Sequence, residues 1–182
     1  MFKYIMACVF VVVSGTSIAQ INSFRLQASG LTCALCARSI HKNLETVPWI
    51  SRVETDLEKS EFIISVKPDM GIDADIITKK VEDAGFGVAG LTVNARVSQG
   101  TLDSDQHLTL NGMSMHIITT RGVTTDGEIS LRLVDKSFLG SKEQKKFSKI
   151  SKHDCFLTGK ASGECCKAAG IAEGSRIFHV II

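Results

Sequence analysis

An α+β fold is predicted by two switches of hydrophobic period in the first half of the chain and by a series of short alternating runs in the second. Phe24, Leu26 and Ala28 alternate with polar Ser23, Arg25, Gln27 and Ser29, the two-residue period of a strand with one buried face. Across Cys33 and Cys36 the period lengthens, and Cys36, Ile40, Leu44 and Val47 recur at helical spacing. The switch returns between Phe62, Ile64 and Val66, which alternate, and Ile77, Val81 and Ala84, which share a helical face.

Taken in order, residues 1–19 open with Lys3, run apolar from Tyr4 to Val13 and end in small residues. This is the pattern of a secretory signal peptide, too short and wrongly flanked for a lasting membrane span. Cleavage after Ala19 leaves Gln20 first and discards Cys8; the competing reading is an uncleaved anchor. The expected location is therefore periplasmic or secreted, without stable membrane insertion. A strand and a helix follow, then strands over residues 50–57 and 61–66 that form a hairpin around Glu58-Lys59-Ser60. Pro68 closes the second strand because it cannot donate to a ladder. Asp73 is expected to cap the next helix, Gly85 to stop it, and residues 88–93 to supply the last strand of a first domain, 20–93.

Residues 94–106 break any period with Ser98-Gln99-Gly100 and Asp103-Ser104-Asp105, and read as a linker. Beyond them, 107–182 read as a small, mostly-β module. Its strands are expected at 107–110 and 115–118 around the turn Asn111-Gly112, at 127–134 and at 176–182, with a short helix over 142–149. The net charge is +2. No basic stripe interleaved with aromatics is present, so nucleic acid is not an expected partner. The most basic segment, 142–152, reads as a solvated helix face.

The chemistry centres on Cys33-Ala34-Leu35-Cys36, at the join of a strand and a helix. Unpaired N–H groups and the positive end of the helix dipole favour thiolate there, the form that binds metal. Thiolates select soft ions such as Cu(I) over magnesium or calcium. The pair also fits a structural disulfide, a redox couple or half of a zinc site. No second CxxC or His pair stands at zinc-finger spacing, and the Pro found between the thiols of many redox motifs is absent.

Gly30-Leu31-Thr32-Cys33-Ala34-Leu35-Cys36, then Val47-Pro48-Trp49-Ile50, Val53-Glu54-Thr55-Asp56-Leu57 and Val81-Glu82-Asp83-Ala84-Gly85-Phe86 resemble, in order, the motifs of the heavy-metal-associated domain. That family includes copper chaperones, the N-terminal modules of copper-pumping ATPases and periplasmic mercury-binding proteins. The resemblance covers about residues 22–92. It implies a ferredoxin-like βαββαβ fold, with Cys33 and Cys36 as metal ligands and a metal-transporting membrane protein or second metal-binding protein as partner. Leu31 stands where the family usually has Met, a volume-conserving change that typically costs under about 1.5 kcal/mol. By the same resemblance Phe86 shields the bound ion, against its alternative as an ordinary core residue, and Thr32 is a loop residue rather than a ligand. No carboxylate stands beside the CxxC, which leans away from zinc, cadmium and lead.

Six cysteines less Cys8 leave five, an odd number for an oxidising compartment. Met113, Met115, His116, His153, Cys155, Cys165, Cys166 and His179 are types that bind copper, although packing is the ordinary reading of Met115 and His179 in strands. A disulfide from Cys155 to Cys165 or Cys166 is the expected role of those thiols, a link on the order of 3 kcal/mol. His153-Asp154-Cys155 names a base, an acid and a nucleophile, but neighbours in a loop rarely converge, so no enzyme is expected. The leading expectation is an exported protein that binds and transfers Cu(I) between Cys33 and Cys36. Mercury scavenging with Hg(II) on the same pair is the second, and a disulfide-linked redox or interaction module the third.

Overall fold

The computed structural model describes residues 19–31, 33–119, 121–140, 143, 146–147 and 153–182. The signal segment before Ala19, Thr32 and most of the helix expected over 142–149 lie outside the described residues. The first half runs β1 (Gln20–Ser29), α1 (Ala34–Glu45), β2 (Ile50–Asp56), β3 (Glu61–Val66), α2 (Asp75–Asp83) and β4 (Gly87–Arg96). Its strands lie in the order β2-β3-β1-β4, all antiparallel, which is the ferredoxin-like βαββαβ arrangement.

Local chemistry accounts for these elements. Phe24, Leu26 and Ala28 face the core as their alternation requires, and Ile21 joins them because a register shift between Ile21 and Ser23 restores its facing. Ala37, Ile40 and Leu44 form the buried stripe of α1, and Ile77, Thr78 and Val81 that of α2. Asp73, expected as the cap of α2, falls one residue early: Ala74 is the N-cap, and the Asp73 carboxylate accepts the Asp75 N–H at 3.0 Å just ahead of the helix. At its other end Gly85 takes φ +87°, and the N–H groups of Gly85 and Phe86 close back on Glu82 and Val81.

The chain continues through β5 (Gly100–Leu102), β6 (His107–Leu110), β7 (Met113–Ile117), β8 (Val123–Thr125), β9 (Glu128–Leu133), a 3-10 turn at Lys136–Phe138, α3 (Asp154–Thr158), α4 (Gly163–Ala168) and β10 (Phe178–Ile181). Residues 94–106 thus hold the end of β4, all of β5 and the turn into β6. β5 and β8 pair as a separate ribbon. The other strands extend the first sheet to eight, in the order β2-β3-β1-β4-β9-β10-β7-β6. The seam is the antiparallel pairing of β4 with β9, from Thr92↔Arg132 to Arg96↔Glu128. β7 and β10 pair in parallel.

One hydrophobic core runs beneath this sheet, from Phe24, Ile40, Phe62 and Ile77 to Leu131, Leu133, Met113, Met115 and Val180. Full burial of a side chain of this size contributes about 1.5–3 kcal/mol. Polar ties also fasten the halves together. The Asn111 side chain accepts the Ile21 N–H at 2.8 Å and donates to the Met70 carbonyl at 3.1 Å. Arg176 forms a two-pronged ion pair with Asp75, at 2.7 and 3.0 Å, its guanidinium 4.1 Å from the Phe178 ring centroid.

Candidate metal centre

β1 ends at Ser29, Gly30 turns the chain with φ +80°, and Cys33 becomes the N-cap of α1 in an extended conformation. Its sulfur takes the part usually played by a serine or aspartate oxygen, accepting the Cys36 N–H at 3.3 Å. Cys36 stands one turn further on, so both sulfurs meet at the helix start, 2.7 Å apart. Cys33 is exposed and Cys36 half-buried. The Cys36 thiol, with the backbone N–H groups of Cys36 and Leu35, holds the Cys33 thiol below its usual range, because each stabilises the thiolate. Two convergent sulfurs on an open loop can grip one soft ion and release it to a competing thiolate.

Two flanking residues adopt positions relevant to this loop. Leu31 is half-buried and packs on the core, filling inward space as a methionine would. Phe86 is half-buried, its ring 4.0 Å from the point where a Cβ on Gly30 would sit. A Cβ at Gly87 would meet the Ser29 hydroxyl at 2.7 Å, so a side chain there requires the serine to turn away. The side chain of Leu35, between the thiols, is exposed to 77 %.

The other sulfur atoms gather elsewhere. His107, His116 and His179 lie in register across β6, β7 and β10, as His107↔His116 and His179↔His116. They occupy the sheet face opposite Met113, Met115 and Phe178, which are core residues. The short helices α3 and α4 bring Cys155, Cys165 and Cys166 over this row. Cys155 Sγ lies 3.3 Å from His179 Nε2 and 3.7 Å from His116 Nδ1, and Cys166 Sγ lies 3.7 Å from His107 Nε2. All five described cysteines are free thiols, so the tie expected between Cys155 and Cys165 or Cys166 is not formed in the structure. His153 meets Asp105 at 3.0 Å.

Asp135 organises the row from behind. Its carboxylate accepts both the backbone N–H and Nδ1–H of His179, each at 2.8 Å, which leaves the Nε2 lone pair aimed at Cys155. Cys155, His179 and Asp135 thus follow one another as the nucleophile, base and acid of a thiol hydrolase do. Burial argues against that use: the Cys155 side chain is wholly enclosed, and desolvation pushes its thiol up to about 12. Desolvation and the neighbouring histidines likewise push His116 down to about 4, so its imidazole is neutral at pH 7.

Sequence reasoning placed Cys33 and Cys36 together at the helix start, but missed His107, Asp105 and Asp135. A signal for His107 was available. A two-residue Asn111-Gly112 turn with both φ positive, 49° and 76°, sets Leu110 opposite Met113 and, three pairs on, His107 opposite His116. Asp135 gave no local signal, because its partner lies 44 residues away.

Fold and site together define a small thiol-bearing domain of the kind that handles metal ions. The model of the heavy-metal-associated domain matches residues 25–87. A copper-transporting ATPase, HMA4, of Oryza sativa subsp. japonica is 33% identical over 90 residues, which cover 50% of this chain and 8% of that protein. The mercuric transport protein periplasmic component of Shigella flexneri is 31% identical over 68 residues, covering 37% of this chain and 74% of that protein. Among solved structures, a copper-binding domain from HMA7, a P-type ATPase, is 25% identical with a TM-score of 0.33, covering 36% of this chain and 86% of that one. The chain belongs to the heavy-metal-associated domain family, through its N-terminal half.

Proposed function

We propose that the protein binds Cu(I) between Cys33 and Cys36 and passes it to a second metal-binding protein or to a metal-transporting membrane protein. The observation that carries this is the convergence of two sulfurs at an exposed helix start, where the Cys36 thiol and the backbone favour the thiolate form of Cys33. A two-coordinate soft ion held there is open to a third thiolate, so transfer proceeds by stepwise ligand exchange rather than by dissociation into water. Phe86, at the rim, excludes water from the ion and contributes no ligand. The protein acts after export, as the signal pattern of residues 1–19 implies, and the mature chain starts at Gln20.

A second reading, mercury scavenging, is favoured by the periplasmic mercuric transport relative, of which this chain covers 74%. Hg(II) also accepts two thiolates in line. Competition titrations of the reduced chain with Cu(I) and Hg(II), beside the Cys33→Ser/Cys36→Ser variant, separate the readings. The copper reading requires that a copper-loaded parent deliver its ion to a thiol-bearing acceptor domain and that the double variant deliver none. Equal delivery by both would refute it.

A further inference from the structure

The C-terminal face carries a constellation that the copper-transfer reading does not use. Three histidines stand in a row on neighbouring strands, and two short helices hold three thiols above them. His116, Cys155 and His179 are each wholly buried, with donor atoms within 4.8 Å of one another. Zinc-type bond lengths of about 2.0–2.3 Å place the ligands of a tetrahedral ion about 3.4–3.8 Å apart. The observed 3.3 Å and 3.7 Å separations from Cys155 to the two imidazoles match that spacing closely.

The surroundings favour a ligand rather than a packing role. Buried imidazoles are poor core fillers, because each leaves polar valences to satisfy. His116 Nε2 is buried and has no hydrogen-bond partner among the described residues; the Asp105 carboxylate lies 3.5 Å away, across from Nδ1, which faces Cys155. His179 is fixed by Asp135, the carboxylate–imidazole support that orients histidine ligands and sets their tautomer. The buried Cys166 thiol belongs to a neighbouring set, with Cys165 and His107.

We infer that His116 Nδ1, Cys155 Sγ and His179 Nε2 form a second, enclosed metal centre that holds one thiophilic d10 ion, Zn(II) or Cu(I), with Asp135 and Asp105 orienting the two imidazoles. Binding releases the proton of the Cys155 thiol and forms one metal–sulfur and two metal–nitrogen bonds, with no change of oxidation state. His116, Cys155 and His179 are wholly buried where Cys33 is exposed, so the ion is retained rather than passed on.

The test uses the full mature chain carrying Cys33→Ser and Cys36→Ser, so its result is independent of the N-terminal pair. The reduced protein is titrated under anaerobic conditions with Co(II) as a spectroscopic probe, then with Zn(II) and with Cu(I) in separate arms. Expected are one Co(II) per chain with thiolate charge-transfer and tetrahedral ligand-field bands, and its displacement by whichever of Zn(II) or Cu(I) the centre prefers. Adding Cys155→Ser removes the charge-transfer band, and Asp135→Asn weakens binding about 10–100-fold at unchanged stoichiometry. Should these variants misfold, the parent double variant still decides, because a bound ion raises its Tm. Absence of thiolate bands with no metal-dependent rise in Tm would overturn the assignment, as would bands that persist unchanged in a folded Cys155→Ser protein.

Discussion

Cys33 and Cys155 are the same side chain in opposite settings. One caps a helix at the surface, and backbone N–H groups draw its thiol toward the charged form. The other is enclosed between a sheet and two short helices, where desolvation pushes its thiol up to about 12. The contrast teaches that metal handling depends on access as much as on donor identity. An open pair of sulfurs, one of them eased toward thiolate, suits capture and release. A closed set whose thiol must shed its proton on binding suits retention.

The largest expected difference is kinetic. In the reduced, metal-free protein at neutral pH, iodoacetamide should modify Cys33 at least about a hundredfold faster than Cys155, since only thiolate attacks and only Cys33 is accessible. Peptide mass mapping against time measures both rates together, and comparable rates would erase the contrast.

A smaller effect concerns acid stability of the metal-free fold. His116 is held at about 4 in the folded chain against an ordinary 6.5, so the unfolded chain binds the extra proton first. Stability is therefore fully present above about pH 6.5 and declines as pH falls toward 4, by about 3 kcal/mol in all. His107, His153, His179 and Asp105 face the same ring and broaden the transition. Urea unfolding at pH 7.5 and pH 4.5 should show the loss, and His116→Gln should flatten it.

The smallest effect belongs to the surface loop. Gly30→Ala forces a side chain into φ +80° with no clash nearer than ordinary contact, so strain alone costs about 1 kcal/mol. The urea midpoint should fall accordingly, while Co(II) binding at the enclosed centre is unaltered. A change in that spectrum would mean that the two thiol regions are not separable.

The first half was legible because its signals are local. Alternation in β1, the Asp73 and Gly85 punctuation of α2, and the Cys33 helix start each lie within a few residues of the feature they specify. The hairpin at Asn111-Gly112 and the strands carrying Ile129, Leu131 and Leu133 were legible for the same reason. The β4–β9 seam was not, because polar 94–106 look like a break while Asn94 and Arg96 actually pair on both sides. Nor was the enclosed cluster, whose members come from β6, β7, α3, α4 and β10 and meet only after the sheet has formed. In α3 and α4 the runs of five and six residues are too short for a periodic signal.

The seam has a practical consequence for anyone isolating the N-terminal half. Cutting the chain after Arg96 would strip β9 from β4 and leave the N–H and C=O groups of Thr92–Arg96 as a bare edge, beside apolar Val93 and Ala95. Such an edge recruits other strands, so the excised fragment would tend to dimerise or precipitate. Lysine placed on that rim, or retention of the remaining strands, would keep it monodisperse.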